Sequence, residues 1–209
     1  QYNTSILFGT PRKQQNNYYN SAILLNQEKS VIYNKNLLMP FGEYWPFKSI
    51  FKAFGLKNII PGSEFSRGNN LPIAKVNGIT IATAICLETT TPSIYKKYLN
   101  NDIDILISLV NNGWFKTSNI AARQLQILQI RALETGRPIL QSANMGYTTA
   151  IDPNGKIIKI LPQFKQDNLN INLSLTKINT PYIIVGDIII YISFALLLLK
   201  LLPYKKLKS

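Results

Sequence analysis

The residue best suited to nucleophilic chemistry is Cys86, the only cysteine among the 209 residues. It closes the run Gly78-Ile-Thr-Ile-Ala-Thr-Ala-Ile-Cys-Leu-Glu88, whose β-branched and small apolar residues predict a buried strand. Such a strand would present a single thiol at its carboxyl end, with the carboxylate of Glu88 close behind. The alternative is that Cys86 is a small buried hydrophobic residue, which is the commoner role of a lone cysteine.

The chain contains no histidine, which excludes Ser-His-Asp and Cys-His catalysis and most transition-metal sites. A single cysteine also excludes an internal disulfide framework and a thiolate-rich zinc site. We therefore expect no cofactor and no metal. A nucleophilic Cys86 would have to be activated by lysine or carboxylate groups. The aromatic, proline-containing loop of residues 37–46 is expected to fix Lys35 and Glu43 near one cleft, or else to plug the core.

The formal net charge of +13 has three interpretations. Nucleic-acid binding is not expected, because the lysine and arginine residues are scattered and form no recognised motif. Contact with anionic lipid is the second interpretation, since basic surfaces favour it. The third is compositional bias, because the chain is rich in asparagine, lysine and isoleucine throughout.

Alternating strands and helices are expected to position these residues, which predicts an α/β sandwich. A short strand over residues 5–8 is expected to lead into a polar surface loop over residues 12–20. The Asn77-Gly78 pair predicts a tight hairpin before Cys86. A helix is expected over residues 120–135, where apolar residues recur at helical spacing before Gly136.

The composition changes near the carboxyl terminus. Residues 183–199 are almost continuously apolar and are followed by Lys200, Lys205, Lys206 and Lys208. This pattern predicts a transmembrane helix with a cytoplasmic carboxyl terminus, which would place the preceding domain in the bacterial periplasm. A buried core helix is the alternative. We thus expect a catalytic domain over residues 1–178 and a membrane helix with a basic tail over residues 179–209.

Several segments, in order, resemble the apolipoprotein N-acyltransferase family of the nitrilase superfamily. The set covers most of the chain and is specific as an ordered series, although each motif alone is weak. Its members are Tyr19-Asn20-Ser21-Ala22, Tyr33-Asn34-Lys35, Pro40-Phe41-Gly42-Glu43-Tyr44, Ile85-Cys86-Leu87-Glu88, Asn111-Asn112-Gly113-Trp114-Phe115, Arg131-Ala132-Leu133-Glu134-Thr135-Gly136-Arg137-Pro138 and Asp152-Pro153-Asn154-Gly155.

The resemblance implies a Glu-Lys-Cys triad on an αββα sandwich, with Lys35 as the catalytic lysine and Cys86 as the nucleophile. The residues expected to support the site or contact substrate are Glu43, Glu88, Asn111 and Trp114. The implied reaction is ping-pong: Cys86 takes an acyl chain from a membrane phospholipid as a thioester. It then passes the chain to the amino group of a diacylglyceryl apolipoprotein at the bacterial inner membrane.

The family's general-base glutamate lies upstream of the segment that matches residues 5–11, as does its bundle of membrane helices. We therefore expect this chain to be the carboxyl-terminal part of the enzyme, with an incomplete first sheet. A separate N-terminal chain could supply the base, and Glu43 is a second candidate for it. Leu87 and Asn112 stand where the family commonly has an aromatic residue and an aspartate. The alternative functions are a soluble amidase of the nitrilase type and a non-catalytic membrane remnant.

Overall fold

The computed structural model describes residues 4–26, 29–55 and 64–201, which form two β-sheets and a set of helices. The first sheet is antiparallel and has three strands, in the order β1-β2-β3. They are β1 (Ile6–Gln14), β2 (Asn17–Leu25) and β3 (Ser30–Asn34).

The predicted surface loop over residues 12–20 is wrong, because β1 and β2 continue through it and pair across a two-residue turn. Pro11 lies inside β1, opposite Asn20. Proline is tolerated there because β1 is an edge strand, whose outer backbone groups have no neighbouring strand in this sheet. Gln15 in the turn has a φ of 53°, a left-handed conformation that suits tight hairpins.

The second sheet has six strands in sequence order, and the second, third and fourth of them run parallel to one another. The strands are β4 (Ala74–Val76), β5 (Ile79–Ile85), β6 (Ile105–Asn111), β7 (Ile139–Asn144), β8 (Thr148–Ile151) and β9 (Ile157–Leu161). The hairpin predicted at Asn77-Gly78 is confirmed, since β4 and β5 pair antiparallel across it. The carboxyl ends of β5, β6 and β7 lie together at one edge of this sheet, where ligands commonly bind in α/β proteins.

The helices are α1 (Lys48–Ala53), α2 (Pro92–Leu99), α3 (Ile120–Thr135), α4 (Pro181–Val185) and α5 (Ile188–Leu201). Residues of α2 and α3, including Tyr95, Tyr98 and Leu128, pack on one face of the six-stranded sheet in the main core. The three-stranded sheet covers the other face through Ala22 and Tyr33, which contact Ile85 and Leu109. The bounds predicted for α3 are confirmed.

The three-stranded sheet covers only part of the larger one. A cleft of about 850 Å³ opens beside β1, lined by Leu7, strands β6 to β9 and residues 161–171. On the outer face of the three-stranded sheet, four apolar side chains are more than one-third exposed: Ile6, Phe8, Leu25 and Ile32. Helices therefore cover one outer face of the sandwich, while the other outer face exposes apolar side chains.

The prediction of one continuous helix over residues 183–199 is wrong, because the helical structure is interrupted between α4 and α5. Gly186 has a φ of 57°, and Asp187 accepts a hydrogen bond from the hydroxyl of Tyr182. Within the described residues, which end at Leu201, helix α5 has 14 residues, a length of about 21 Å, against the ~30 Å thickness of a bilayer core. None of the helices in the described ranges is long and apolar enough to span a membrane. The lysines of the predicted basic tail after Lys200 lie outside the described residues, and the division between residues 178 and 179 stays a prediction.

Candidate active site

Cys86 lies where β5 ends and a turn of 3-10 helix, Cys86–Thr90, begins. Its φ of 53° is in the left-handed region, which is unusual for a residue with a side chain and marks a strained position. Cys86 as a residue is partly exposed rather than fully buried. Strain maintained at a reactive side chain is typical of functional sites. The position thus favours a nucleophile over a core residue.

Lys35 follows directly after β3, so it reaches the site from the opposite sheet. Its Nζ lies 2.6 Å from Oε2 of Glu43, and its side chain is only 1% exposed. Asn20 donates from Nδ2 to Oε1 of Glu43 at 2.7 Å, and the backbone N–H of Met39 donates to Oε2. With three donors around it, the Glu43 carboxylate is fixed in place and holds the lysine. The predicted proximity of Lys35 and Glu43 is present in the structure.

The charges of this pair act on the Cys86 thiol. Burial raises the pKa of Cys86 above its usual value. The ammonium of Lys35 lowers the pKa of Cys86, whereas the carboxylates of Glu43 and Glu88 raise it. The thiol is therefore mainly protonated at neutral pH, and a base must remove its proton before it can attack.

Glu88 lies beneath the nucleophile and is fully buried. Its Oε1 accepts hydrogen bonds from the hydroxyl of Tyr33 and the backbone N–H groups of Asn36 and Leu37, and its Oε2 accepts one from the N–H of Ile85. Burial raises the pKa of Glu88, while these four donors lower it. The carboxylate joins the strand before Cys86 to the segment after Lys35, and no substrate can reach it without displacing these partners.

A directed chain of hydrogen bonds supports the turn that carries Cys86. Nδ2 of Asn112 donates to Oε1 of Gln124 at 3.3 Å, and Nε2 of Gln124 donates to Oγ1 of Thr89 at 3.1 Å. Thr89 in turn donates to the carbonyl oxygen of Cys86 at 2.7 Å. All three side chains are buried, so each lost bond would leave an unpaired polar group.

The loop after β6 contains the other predicted site residues. Asn111 is exposed, and its Oδ1 accepts from the N–H of Gly113 and from Asn144. The side chain of Trp114 is 85% exposed, whereas its neighbour Phe115 turns inward. Trp114 is therefore available to a ligand but makes no core packing.

Beside Cys86 lies a half-open cavity of about 200 Å³. Its walls come from the segment after Lys35, the nucleophile turn, the loop after β6 and α3. The lining residues are Met39, Cys86, Leu87, Thr90, Asn112, Phe115, Ile120, Arg123, Gln124 and Ile127.

Three positioning residues were not identified as such from the sequence: Asn20, Gly68 and Gln124. Gly68 donates its N–H to the carbonyl oxygen of Lys35, and a Cβ at Gly68 would collide with the backbone of Asn34. Asn20 belongs to the first of the matching motifs, which was the available signal for it. No local signal distinguishes Gln124 or Gly68, because their roles depend on contacts distant in sequence.

Comparison with known proteins identifies the family of the chain. The carbon-nitrogen hydrolase family model matches residues 1–183. Apolipoprotein N-acyltransferase from Photobacterium profundum is 34% identical over 195 residues, which cover 88% of this chain and 38% of the relative. Its counterpart from Shewanella oneidensis is also 34% identical, over 198 residues with the same two coverages. The chain thus spans well under half the length of these relatives.

Solved structures show the same fold at low identity. A carbon-nitrogen hydrolase superfamily protein from Xanthomonas campestris superposes with a TM-score of 0.60 at 14% identity, covering 78% of this chain and 60% of that one. A glutamine-dependent NAD+ synthetase from Acinetobacter baumannii gives 0.59 at 18% identity, covering 78% of this chain and 30% of that one. The predicted nitrilase-like α/β fold is confirmed. The chain belongs to the carbon-nitrogen hydrolase family, within which it is related to the apolipoprotein N-acyltransferases.

Proposed function

We propose that this chain forms the catalytic core of an N-acyltransferase. An acyl chain moves from a membrane phospholipid, through a thioester on Cys86, to the N-terminal amine of a diacylglyceryl apolipoprotein. One observation carries the proposal: the only thiol of the chain ends β5 where the charges of Lys35 and Glu43 act on it. The similarity to apolipoprotein N-acyltransferases over most of the chain supports the choice of substrates.

In the first half-reaction, the Cys86 thiolate attacks the ester carbonyl of the phospholipid. A C–S bond forms, and the carbonyl oxygen becomes an oxyanion that the Lys35 ammonium stabilises. When the intermediate collapses, the C–O bond breaks, and the lysophospholipid oxygen takes the proton that the base removed from the Cys86 thiol. The buried ion pair with Glu43 keeps the ammonium in one orientation, so that little reorganisation is needed when the oxyanion forms.

In the second half-reaction, the amine of the apolipoprotein attacks the thioester carbonyl. The new C–N bond forms, the amine nitrogen loses a proton to a base, and the Cys86 thiolate leaves. The oxyanion of this intermediate occupies the same place beside Lys35. One lysine can therefore serve both half-reactions.

The base needs a carboxylate, since the chain has no histidine. Glu43 is engaged by Lys35, Asn20 and Met39, and Glu88 is enclosed by four donors. We assign the role to the additional glutamate that the family resemblance implies, supplied by a longer chain or a separate N-terminal one. Glu43 and Glu88 then act as positioning residues, and Asn111 and Trp114 form the exposed rim at which substrate arrives.

The apolar surface of α5 supports contact with lipid. Its isoleucine, phenylalanine and leucine side chains are exposed around the helix, for example Ile189 at 72% and Leu197 at 56%. Exposed apolar surface of this extent indicates contact with a membrane or an apolar partner. We propose that the protein works at the bacterial inner membrane, with its catalytic domain in the periplasm.

The test is the intact mass of the protein after incubation with phospholipid in detergent, alone and with the N-terminal part of the Photobacterium profundum relative. We expect a mass increase of one acyl group that hydroxylamine removes and that Cys86→Ser abolishes. Absence of an adduct in both preparations, or an adduct that persists in Cys86→Ser, would contradict the proposal.

A second candidate is hydrolysis of a carbon-nitrogen bond, which the matching family model favours. The same thioester would form from an amide, and water would replace the amine as acceptor. Ammonia release from small aliphatic amides, measured with the same preparations, distinguishes the two. Acyl transfer predicts a phospholipid-derived adduct without ammonia release, and hydrolysis predicts the reverse.

A further inference from the structure

The cavity beside Cys86 has a chemical character of its own. Its walls are largely carbon, and its polar side chains other than the exposed Arg123 include three that are already bonded within the protein. Oγ1 of Thr90 donates to the carbonyl of Leu87 at 2.8 Å, and the amides of Asn112 and Gln124 belong to the chain that ends at Cys86. The cavity therefore offers apolar surface directly beside the nucleophilic sulfur.

One face of α3 forms much of the wall. Ile120, Arg123, Gln124 and Ile127 have the i, i+3, i+4, i+7 spacing of a single helix face. Ile127 is half-buried, whereas Arg123 is exposed. The pocket is thus apolar inside and carries one cation where it opens.

We infer that this pocket receives the first carbons of the acyl chain bonded to Sγ of Cys86, and that Ile120 and Ile127 limit its bulk. This inference rests on the proposed function. At about 200 Å³ the cavity is smaller than the ~300–1,000 Å³ pockets that hold drug-sized ligands, so it takes only part of a long chain. The remainder of the chain leaves through the open side.

Alkyl methanethiosulfonates test the pocket without requiring acyl transfer. The Cys86 thiolate attacks the sulfenyl sulfur, a disulfide to the alkylthio group forms, and methanesulfinate leaves. Because the chain has one cysteine, every modified molecule is modified at Cys86. The rates of the methyl and butyl reagents are measured at one alkaline pH on the full chain, and their ratio is divided by the ratio for the urea-unfolded chain.

We expect each methylene that enters the pocket to raise the rate about threefold to fourfold, so the normalised butyl-to-methyl ratio should be at least about ten. Ile127→Trp fills the pocket and should bring the ratio close to one. Ile130→Trp is the matched control, because Ile130 is on the same helix, is 47% exposed and does not line the cavity. It should keep the wild-type ratio.

If Ile127→Trp fails to fold by circular dichroism, Ile120→Trp replaces it, since Ile120 is 40% exposed and tolerates a larger side chain more readily. A wild-type ratio near one, or equal ratios in the pocket variant and Ile130→Trp, would overturn the inference. The result is separable from that of the proposed function. If the pocket favours the butyl reagent but the protein never forms a thioester with phospholipid, only the acyltransferase proposal is refuted. If the protein forms the thioester but the pocket does not favour the butyl reagent, only the pocket inference is refuted.

Discussion

Nζ of Lys35, the residue directly after β3, and Oε2 of Glu43 are 2.6 Å apart. The two charges act on Cys86 with opposite sign. Each partner can therefore be removed separately, and the pKa of the thiol shows which charge was lost.

Lys35→Met should raise the pKa of Cys86, because the charge that favours the thiolate is gone. Glu43→Gln should lower the pKa of Cys86, because the opposing charge is removed while Lys35 remains. The rate of iodoacetamide alkylation as a function of pH measures both, since only the thiolate reacts. The alkylation curve thus moves to higher pH in the first variant and to lower pH in the second.

The Lys48–Glu64 pair, at 2.9 Å and partly exposed, is the matched control for these two variants. Lys48→Met and Glu64→Gln should leave the alkylation curve unchanged. Shifts of the same sign in Lys35→Met and Glu43→Gln would contradict the assignment of opposite effects.

Glu88→Gln should destabilise the fold by about 2–3 kcal/mol. The glutamine amide would face one of the donors that the carboxylate now accepts, and a buried donor would lose its partner. Urea unfolding followed by tryptophan fluorescence measures the change. Glu64→Gln removes a carboxylate that is partly exposed, and it should change the free energy of unfolding by about 1 kcal/mol or less. Equal effects of the two substitutions would refute the structural role of Glu88.

Gln124→Leu should slow alkylation of Cys86 and lower stability by about 1–3 kcal/mol. It breaks the hydrogen-bond chain that supports the Cys86 turn, because Nδ2 of Asn112 loses its acceptor and Oγ1 of Thr89 loses the donor Nε2 of Gln124. Gln129→Leu is the control on the same helix, because Gln129 bonds Gly155 at the opposite side. It should reduce stability without altering the alkylation rate. An unchanged alkylation rate in Gln124→Leu would show that the chain is purely structural.

Gly68→Ala should lower the melting temperature and shift the pKa of Cys86. The added methyl group meets the backbone beside Lys35, and overpacking of this kind costs about 1–3 kcal/mol. Gly9→Ala in β1 is the comparison, since its nearest neighbour would be at an ordinary contact distance of 3.8 Å. Thermal melting and the alkylation curve are recorded for both. A melting temperature as high as that of Gly9→Ala would argue against a close approach at Gly68.

Ile192→Asp combined with Leu196→Asp should strongly reduce flotation of the protein with vesicles of anionic phospholipid. Each carboxylate placed on an apolar helix costs about 2.5–3.5 kcal/mol where the helix is in lipid. Ile50→Asp with Phe54→Asp, at the same spacing and also exposed, should leave flotation unchanged. Similar losses in both double variants would show that net charge, rather than α5, controls binding.

Local signals predicted the elements that carry the nucleophile. The Asn77-Gly78 turn and the end of α3 at Gly136 both have left-handed backbone conformations, which asparagine and glycine residues predict. The continuation of β1 through Pro11 could not be predicted, because it depends on β1 being an edge strand. The break at Gly186 was obscured by the apolar residues on both sides of it.

The same distinction applies to the site. Cys86, Lys35 and Glu43 were identifiable by residue type and motif. The proximity of Lys35 and Glu43 followed from the short loop that connects them. The enclosure of Glu88 was not predictable, because its hydrogen-bond partners come from a segment more than 50 residues away. Gln124 likewise reaches Thr89 across 35 residues. Contacts of this range are set by the packing of whole elements.

Lys35 follows a strand of one sheet and Cys86 a strand of the other, so their electrostatic contact exists only once the sheets have docked. During refolding, either sheet alone would leave the thiol without the lysine's influence. The rate at which Cys86 is alkylated therefore reports when the two sheets dock. Pulsed alkylation during refolding, compared between the wild type and Lys35→Met, would time the arrival of the smaller sheet.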